Sequence, residues 1–387
     1  MLSSIGFATF LRQSGFTFYS GVPDSVLRGF CAALDLRDDI RHVPAANEGA
    51  AVGLAVGWHL ATGEVPAVYL QNSGLWNALN PYFSLAHRAV YDIPLLFIVG
   101  WRGRPGFNDE PQHLSSGAET ECALRMMGIT PLVIERWDDE MEARSTQYLE
   151  GNHVDGRSSA FLVPLGVFDE HIVATNPSEL DGLPSRGDVI DTILQHIDPE
   201  DVVVAGIGHT GRELYAARLK EPRRSGLLRD FLCVGGMGYA LQVAIGTALG
   251  RSRGRVCCID GDGSFLMHMG TVALVGTLAN LPLVHVLLDN GAHASVGGQK
   301  TACNSLDYGT AARTFGFRNV EGARSIAEIE AALSRLLVQP GPQFLWARIR
   351  NEPELKLPRP DEPLVERKRA VMDLLGFHSK LRNGPAD

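Results

Sequence analysis

Short apolar runs alternate with longer stretches of helical periodicity along almost the whole chain. Nine runs read as strands: FTFYSG, RHVPA, PAVYLQ, PLLFIVG, SAFLVPL, DVVVAGIG, RVCCIDG, LVHVLLD and QFLWARI. Most are continuous rather than alternating, the pattern of strands covered on both faces. Their regular alternation with helices predicts an α/β protein built from doubly wound, mostly parallel sheets. Near the middle, ATNPSELDGLPSRGD (174–188) breaks the rhythm with proline, glycine and polar residues. We read two domains from this, 1–175 and 188–387, joined by a linker over 176–187. The opening MLSSIGFATFLRQSGFTF suggests an amphipathic helix rather than a targeting signal. At the other end, NEPELKLPRPDEPLVERKRAVMDLLGF turns from proline-rich to helical, and HSKLRNGPAD reads as a loose tail.

Composition narrows the class. A chain of 387 residues has room for two cores, and 45% apolar with 20% charged residues is ordinary for a globular protein. A net charge of -9 argues against a nucleic-acid surface, while leaving room for a local basic pocket. No apolar run reaches the ~18 residues of a membrane span, so a cytoplasmic location without membrane contact is expected. The six cysteines form no Cys-x-x-Cys pair and read as buried free thiols.

The stretch VCCIDGDGSFLMHMGTVALVGTLANLPLVHVLLDNGAH (256–293) carries candidate chemistry. Asp262 stands between Gly261 and Gly263 after the first apolar run, and Asn290 follows the second, 28 positions later. A right-handed strand-helix-strand unit brings both strand ends to one edge, where open α/β sheets bind ligands. A carboxylate and an amide oxygen with a nearby carbonyl make a hard-oxygen half-cage for Mg²⁺. The glycines permit close backbone approach, and a helix starting after Ser264 favours phosphate. Gly-Asp-Gly and Asn-Gly are also common turns. In RHVPAANEGAAVGLAVGWHLATG, similarly, Asn47 reads as a helix N-cap with Glu48 in the first turn.

The long stretch resembles the cofactor signature of thiamine diphosphate enzymes: Gly-Asp-Gly, about thirty residues, then Asn after an apolar strand. The resemblance implies that Asp262, Asn290 and the carbonyl of Ala292 hold Mg²⁺, which anchors the diphosphate. Asp289 stands where many members have a second asparagine. The strand-Asn-Glu-helix element implies that Glu48 hydrogen-bonds the cofactor's pyrimidine and promotes its imino tautomer, for which a burial-raised pKa is suited. VGGMGYALQVAIGTALG resembles the Gly-x-Met-Gly segment beside the cofactor, with Gly235 a contact and Met237 the wedge that bends it. Gly208, His209 and Thr210, in AGIGHTGREL, are further candidates for the diphosphate, and Asn72 for the cofactor.

With no room for a central third domain, the resemblance narrows to the phosphonopyruvate/sulfopyruvate decarboxylase family, over nearly the whole chain. GVPDSVL, NSGLWNALNP, GWRGRPGFNDEPQH and NGAHASVGGQKT carry it; Trp76 stands where the family places glycine. It implies thiamine diphosphate- and Mg²⁺-dependent loss of CO₂ from 3-phosphonopyruvate, giving phosphonoacetaldehyde, in the making of phosphonate natural products or antibiotics. Sulfopyruvate decarboxylation is the nearest alternative, a carboligase the next, and an inactive cofactor-binding paralogue the non-enzyme reading. His113 is our choice of proton donor, with His293 its competitor. Arg102 suits a phosphonate through its planar fork; Arg104 and Lys300 are further cations, and Ser25, Gln112, Ser295 and Asn72 neutral donors. The resemblance also implies a homodimer, or a pair of dimers, with each site shared between subunits.

Overall fold

In a computed structural model, residues 3–169, 182–220, 230–251, 253–278, 280–302, 305–352 and 356–376 are described. The chain divides into two compact units, 1–175 with 293–302, and 176–292 with 303–387. The first half of the expected linker, and the expected C-terminal tail, lie outside the described residues. Ser185, near the linker's end, caps the helix Arg186–His196 through a reciprocal bond with Asp188.

The first unit holds strands β1 (Phe18–Gly21), β2 (Arg41–Pro44), β3 (Ala67–Gln71), β4 (Leu96–Trp101), β5 (Leu132–Val133) and β6 (Ser159–Pro164). They form one sheet in the order β2-β1-β3-β4-β6-β5, with every neighbouring pair parallel. Strands β4 and β6 are buried throughout, because alternate side chains feed two cores. Tyr19, Tyr69, Ile98 and Phe161 pack on one face with Phe7, Leu11 and Phe30. Phe18, Val68, Phe97 and Leu162 pack on the other with Ala51, Val52 and Leu124.

The second unit holds β7 (Val202–Ala205), β8 (Asp230–Leu232), β9 (Val256–Gly261) and β10 (Leu283–Asp289). After them come a small ribbon, β11 (Ala292–His293) with β12 (Gln299–Lys300), then β13 (Asn319–Ala323) and β14 (Gln343–Arg348). The large sheet runs β13-β14-β10-β9-β7-β8, again parallel at every step. Val203, Ile259 and Val286 face one core, and Val204, Cys258 and Leu287 the other.

All nine expected strands are present. Sequence reading missed β5, β8, β11, β12 and β13: the first four are only two or three residues long, and Asn319–Ala323 lacks an apolar run. The crossover after β9 also differs from expectation. Its helix begins at Asp262, not after Ser264, and breaks into Asp262–Met267, Met269–Val272 and Leu274–Thr277. The last of these packs closely, since a Cβ at Gly276 would lie 2.7 Å from the Phe315 carbonyl. Cys122 is exposed, contrary to the expectation for the thiols, whereas Cys31, Cys257 and Cys258 are buried. No helix among the described residues is long and apolar enough to cross a membrane.

Candidate active site

In the first unit the candidate residues gather at the carboxyl ends of the strands. After β2, Asn47 caps the helix Glu48–Thr62 by accepting the Ala50 N–H at 2.8 Å, as its residue type predicts. Glu48 is buried, and its Oε2 accepts a bond from Asn77 Nδ2 at 2.9 Å. Burial raises its pKa, opposed by the Asn77 bond and by its own backbone N–H. The carboxyl lies against Gly74, where a Cβ would come within 2.4 Å of Oε1. Neither Asn77 nor Gly74 was picked out from sequence; both lie in NSGLWNALNP, but no spacing links them to Glu48. Trp76, one residue before Asn77, is 44% exposed.

Asn72, directly after β3, is engaged within the protein. Its amide donates to the Arg102 carbonyl at 3.0 Å and to Thr120 Oγ1 at 2.8 Å, and accepts the Arg102 N–H at 3.0 Å. Directly after β4, the Arg102 fork grips Asp109, with Nε and Nη2 at 2.8 and 2.5 Å. Partial burial of Asp109 works against ionisation, yet Arg102 and the N–H groups of Glu110 and Gly103 hold it well below the usual carboxylate range. Arg102 Nη1 donates to the Ser25 hydroxyl at 3.3 Å. Gln112 donates to Glu110 at 2.6 Å, and ligand-type atoms of Asp109, Glu110 and buried His113 lie within 4.8 Å of one another. Arg104 instead pairs with Glu135 and lies over the rings of Trp101 and Phe107.

The segment 293–302 groups with this first unit, so His293, Ser295 and Lys300 share it with Ser25, Arg102, Gln112 and His113. Gln299 ties the segment down through a bond from its amide to the Arg28 carbonyl. Ser295 and Lys300 are exposed, while burial lowers the pKa of His293 to about 4 and keeps it neutral near pH 7.

The second unit gathers the remaining candidates at the matching edge of its sheet. Leu288 on β10 pairs with Gly261 on β9, so Asp262 and Asn290 emerge from adjacent parallel strands, which lie ~4.8 Å apart. Both are buried. Asn290 donates to Asn351 at 3.2 Å, and its Oδ1 receives the Ala292 N–H at 3.3 Å. Asp289 is pinned by Arg348 at 2.6 Å, Trp346 Nε1 at 2.9 Å and the Gly291 N–H at 3.1 Å.

Around this pair, Ser264 Oγ accepts the Gly238 N–H at 3.0 Å and also bonds Asp260, joining the Gly235–Gly238 loop to the Asp262 turn. Met237 sits between Gly236 and Gly238, whose φ values of +67° and +86° suit glycine. Gly208, with φ +83°, opens into the helix His209–Lys220. Burial, with Arg186 and Arg212 adding to it, pushes buried His209 down to about 4, and Thr210 is buried beside it.

Two family descriptions match the chain: thiamine pyrophosphate enzyme, N-terminal TPP-binding domain, over 4–120, and C-terminal TPP-binding domain, over 206–346. A phosphonopyruvate decarboxylase of Streptomyces viridochromogenes is 33% identical over 90% of this chain and 89% of its own. One from Streptomyces hygroscopicus is 33% identical over 93% and 90%. A sulfopyruvate decarboxylase of Methanosarcina acetivorans is 24% identical over 95% and 97%.

Proposed function

The chain belongs to the phosphonopyruvate decarboxylase family of thiamine pyrophosphate enzymes, and from that membership we propose that it removes CO₂ from 3-phosphonopyruvate to give phosphonoacetaldehyde. The observation that carries the proposal furthest is Glu48: a buried carboxyl with a raised pKa, cradled by Gly74 and held by Asn77. Such an acid suits proton exchange with a ring nitrogen. At the other edge, buried Asp262 and Asn290 offer the hard oxygens Mg²⁺ prefers, and the Ala292 carbonyl adjoins them in sequence. Glycine turns at 208, 236 and 238 allow backbone N–H groups to approach a diphosphate. The residues present therefore fit thiamine diphosphate and Mg²⁺. When bound, thiamine diphosphate supplies the electron sink that accepts the pair released as CO₂ leaves.

The chain's own residues then have separate tasks. Glu48 exchanges a proton with the cofactor's pyrimidine, and Met237, Gly235, Gly261, Gly263, Ser264, Gly208, His209 and Thr210 shape the cofactor bed. Asn72 acts as a clamp at the cofactor's edge, since its amide is already engaged. Ser25, Arg102, Gln112, Ser295 and Lys300 orient the anionic substrate. His113 donates the proton that completes the aldehyde. His293, neutral at working pH, is the poorer donor.

Each subunit of a proposed homodimer would contribute Glu48 to one site and the metal-binding turn to another. The outer face of helix Glu48–Thr62, with Ala50, Gly53, Leu54 and Gly57 exposed beside exposed Trp76, supports this pairing. The cytoplasm and a phosphonate-producing pathway complete the proposal. The relative named for sulfopyruvate favours a second reading, because sulfonate and phosphonate share a shape. Measuring kcat/KM for both acids with Mg²⁺ and thiamine diphosphate decides it; faster turnover of sulfopyruvate would displace the first reading.

A further inference from the structure

Asp24 follows β1, at the same strand edge as Glu48, Asn72 and Arg102. It is 2% exposed, and among the described residues its Oδ2 has no hydrogen-bond partner. Gly100 on β4 makes room for it: a Cβ there would lie 2.0 Å from that oxygen. Its Oδ1 is 3.5 Å from the Ser25 hydroxyl, which accepts the Arg102 Nη1 bond at 3.3 Å. A capping role at the turn before the helix Arg28–Asp35 accounts for bonds from the N–H groups of Val26 and Leu27. It gives no reason for a second carboxylate oxygen sealed without a donor against a strand, an arrangement that costs free energy.

We propose that Asp24 is a positioning residue for the substrate's anionic group, acting through Ser25 on the Nη1 edge of Arg102, the edge that Asp109 leaves open. The proposal rests on the decarboxylase reading above. Ionised Asp24 accepts the Ser25 O–H, so the oxygen of Ser25 turns to Arg102 and holds Nη1 in place. Protonated Asp24 would instead donate to Ser25 and release that hold. Burial raises the pKa of Asp24 to about 6, against the pull of the Val26 N–H, Arg102 and the Leu27 and Ser25 N–H groups. The other titratable groups facing it are Cys31, which burial and Asp24 keep as a neutral thiol, and Asp109 and Glu110 across Arg102.

The test uses the full chain with Mg²⁺ and thiamine diphosphate, assayed with phosphonopyruvate and with sulfopyruvate, whose acid group does not titrate near pH 6. Wild-type kcat/KM should bend downward below about pH 6 with either acid. Asp24→Asn should bind cofactor normally, raise KM about tenfold with kcat little changed, and lose the bend. In a Ser25→Ala background the same substitution should change KM less than about twofold. An equal factor in both backgrounds, or a bend that survives in Asp24→Asn, overturns the proposal. If Asp24→Asn does not fold, Ser25→Ala alone must lose the bend, and a retained bend overturns it equally. A wild type that prefers the sulfonate overturns the substrate reading and leaves the variant ratio as the test of Asp24. A wild type that turns over neither acid overturns both.

Discussion

The two units have one strand order used twice: β2-β1-β3-β4-β6-β5, and, read from its far edge, β8-β7-β9-β10-β14-β13. In each, the third and fourth strands of the unit lie side by side at the centre and end at one edge. In the first unit that edge is closed. Asn72 and Arg102 take the two strand-end positions and bond each other's backbone and amide. In the second unit the same two positions hold Asp262 and Asn290, whose oxygens suit a cation, while the neighbouring acid Asp289 is neutralised by Arg348. The buried acid proposed to act in the first unit lies elsewhere, at Glu48 on the helix after the second strand. Topology provides the edge, and the residue just past each strand decides what it can bind.

The largest effects should separate the units by kind. Glu48→Gln keeps the shape and the Asn77 contact but removes the proton, so CO₂ release should fall by about 10³ while cofactor affinity changes little. Asp262→Ala should do the reverse. Cofactor affinity should drop by about 10²-fold or more, and added Mg²⁺ should recover part of the rate. Cofactor titration by fluorescence beside a CO₂ assay checks both, and the same signature from both variants would dissolve the contrast.

A smaller effect would sharpen it. If Asp289 orients the turn rather than ligating, Asp289→Asn should keep cation binding but weaken it about ten- to a hundredfold. Arg348→Met should weaken it similarly by freeing the carboxylate. The titration can be followed through Trp346, whose indole N–H bonds Asp289. Complete loss of cation binding in Asp289→Asn would instead make Asp289 a ligand.

Much of this contrast was legible in the chain. The apolar runs located nine strands, and their order implied that Asp262 and Asn290 leave neighbouring strand ends. Asn47 and Glu48 were legible because capping is a local signal. The partners that set each group's chemistry were not. Asn77 and Gly74 lie 29 and 26 positions from Glu48, and no periodicity marks a glycine as the space for a distant carboxyl. Arg102 read as a fork for the phosphonate because its sequence context does not show that Asp109 folds back onto it. The segment 293–302, next to the metal turn in sequence, groups with the first unit because of contacts such as Gln299 to Arg28. Local chemistry reads from residue types, while pairing and close approach require the fold.

The smallest expected effect concerns stability alone, and here too the units differ. In the first, burial raises the pKa of Glu48 and Asp24, and such acids contribute stability that is lost as pH rises, for Asp24 through about 6. The second has Asp260, raised to about 7, but also His285, fully buried on β10 among Phe265, Phe317 and Phe344, with no partner for either ring nitrogen among the described residues. Burial lowers His285 to about 3, whereas the unfolded chain protonates it near 6.5. Its contribution is therefore complete above about pH 6.5 and declines as pH falls toward 3, by roughly 1 kcal/mol for each pH unit below 6.5. His285→Leu keeps an apolar side chain in the aromatic cluster and removes the proton site. Between pH 7 and 5.5, calorimetric melting should show the variant losing less stability than wild type by about that amount, with turnover at pH 7 unchanged. An equal acid loss in both proteins would mean that His285 takes up its proton without unfolding, and that the acid-sensitive group of the second unit lies elsewhere, with His209 the next to test.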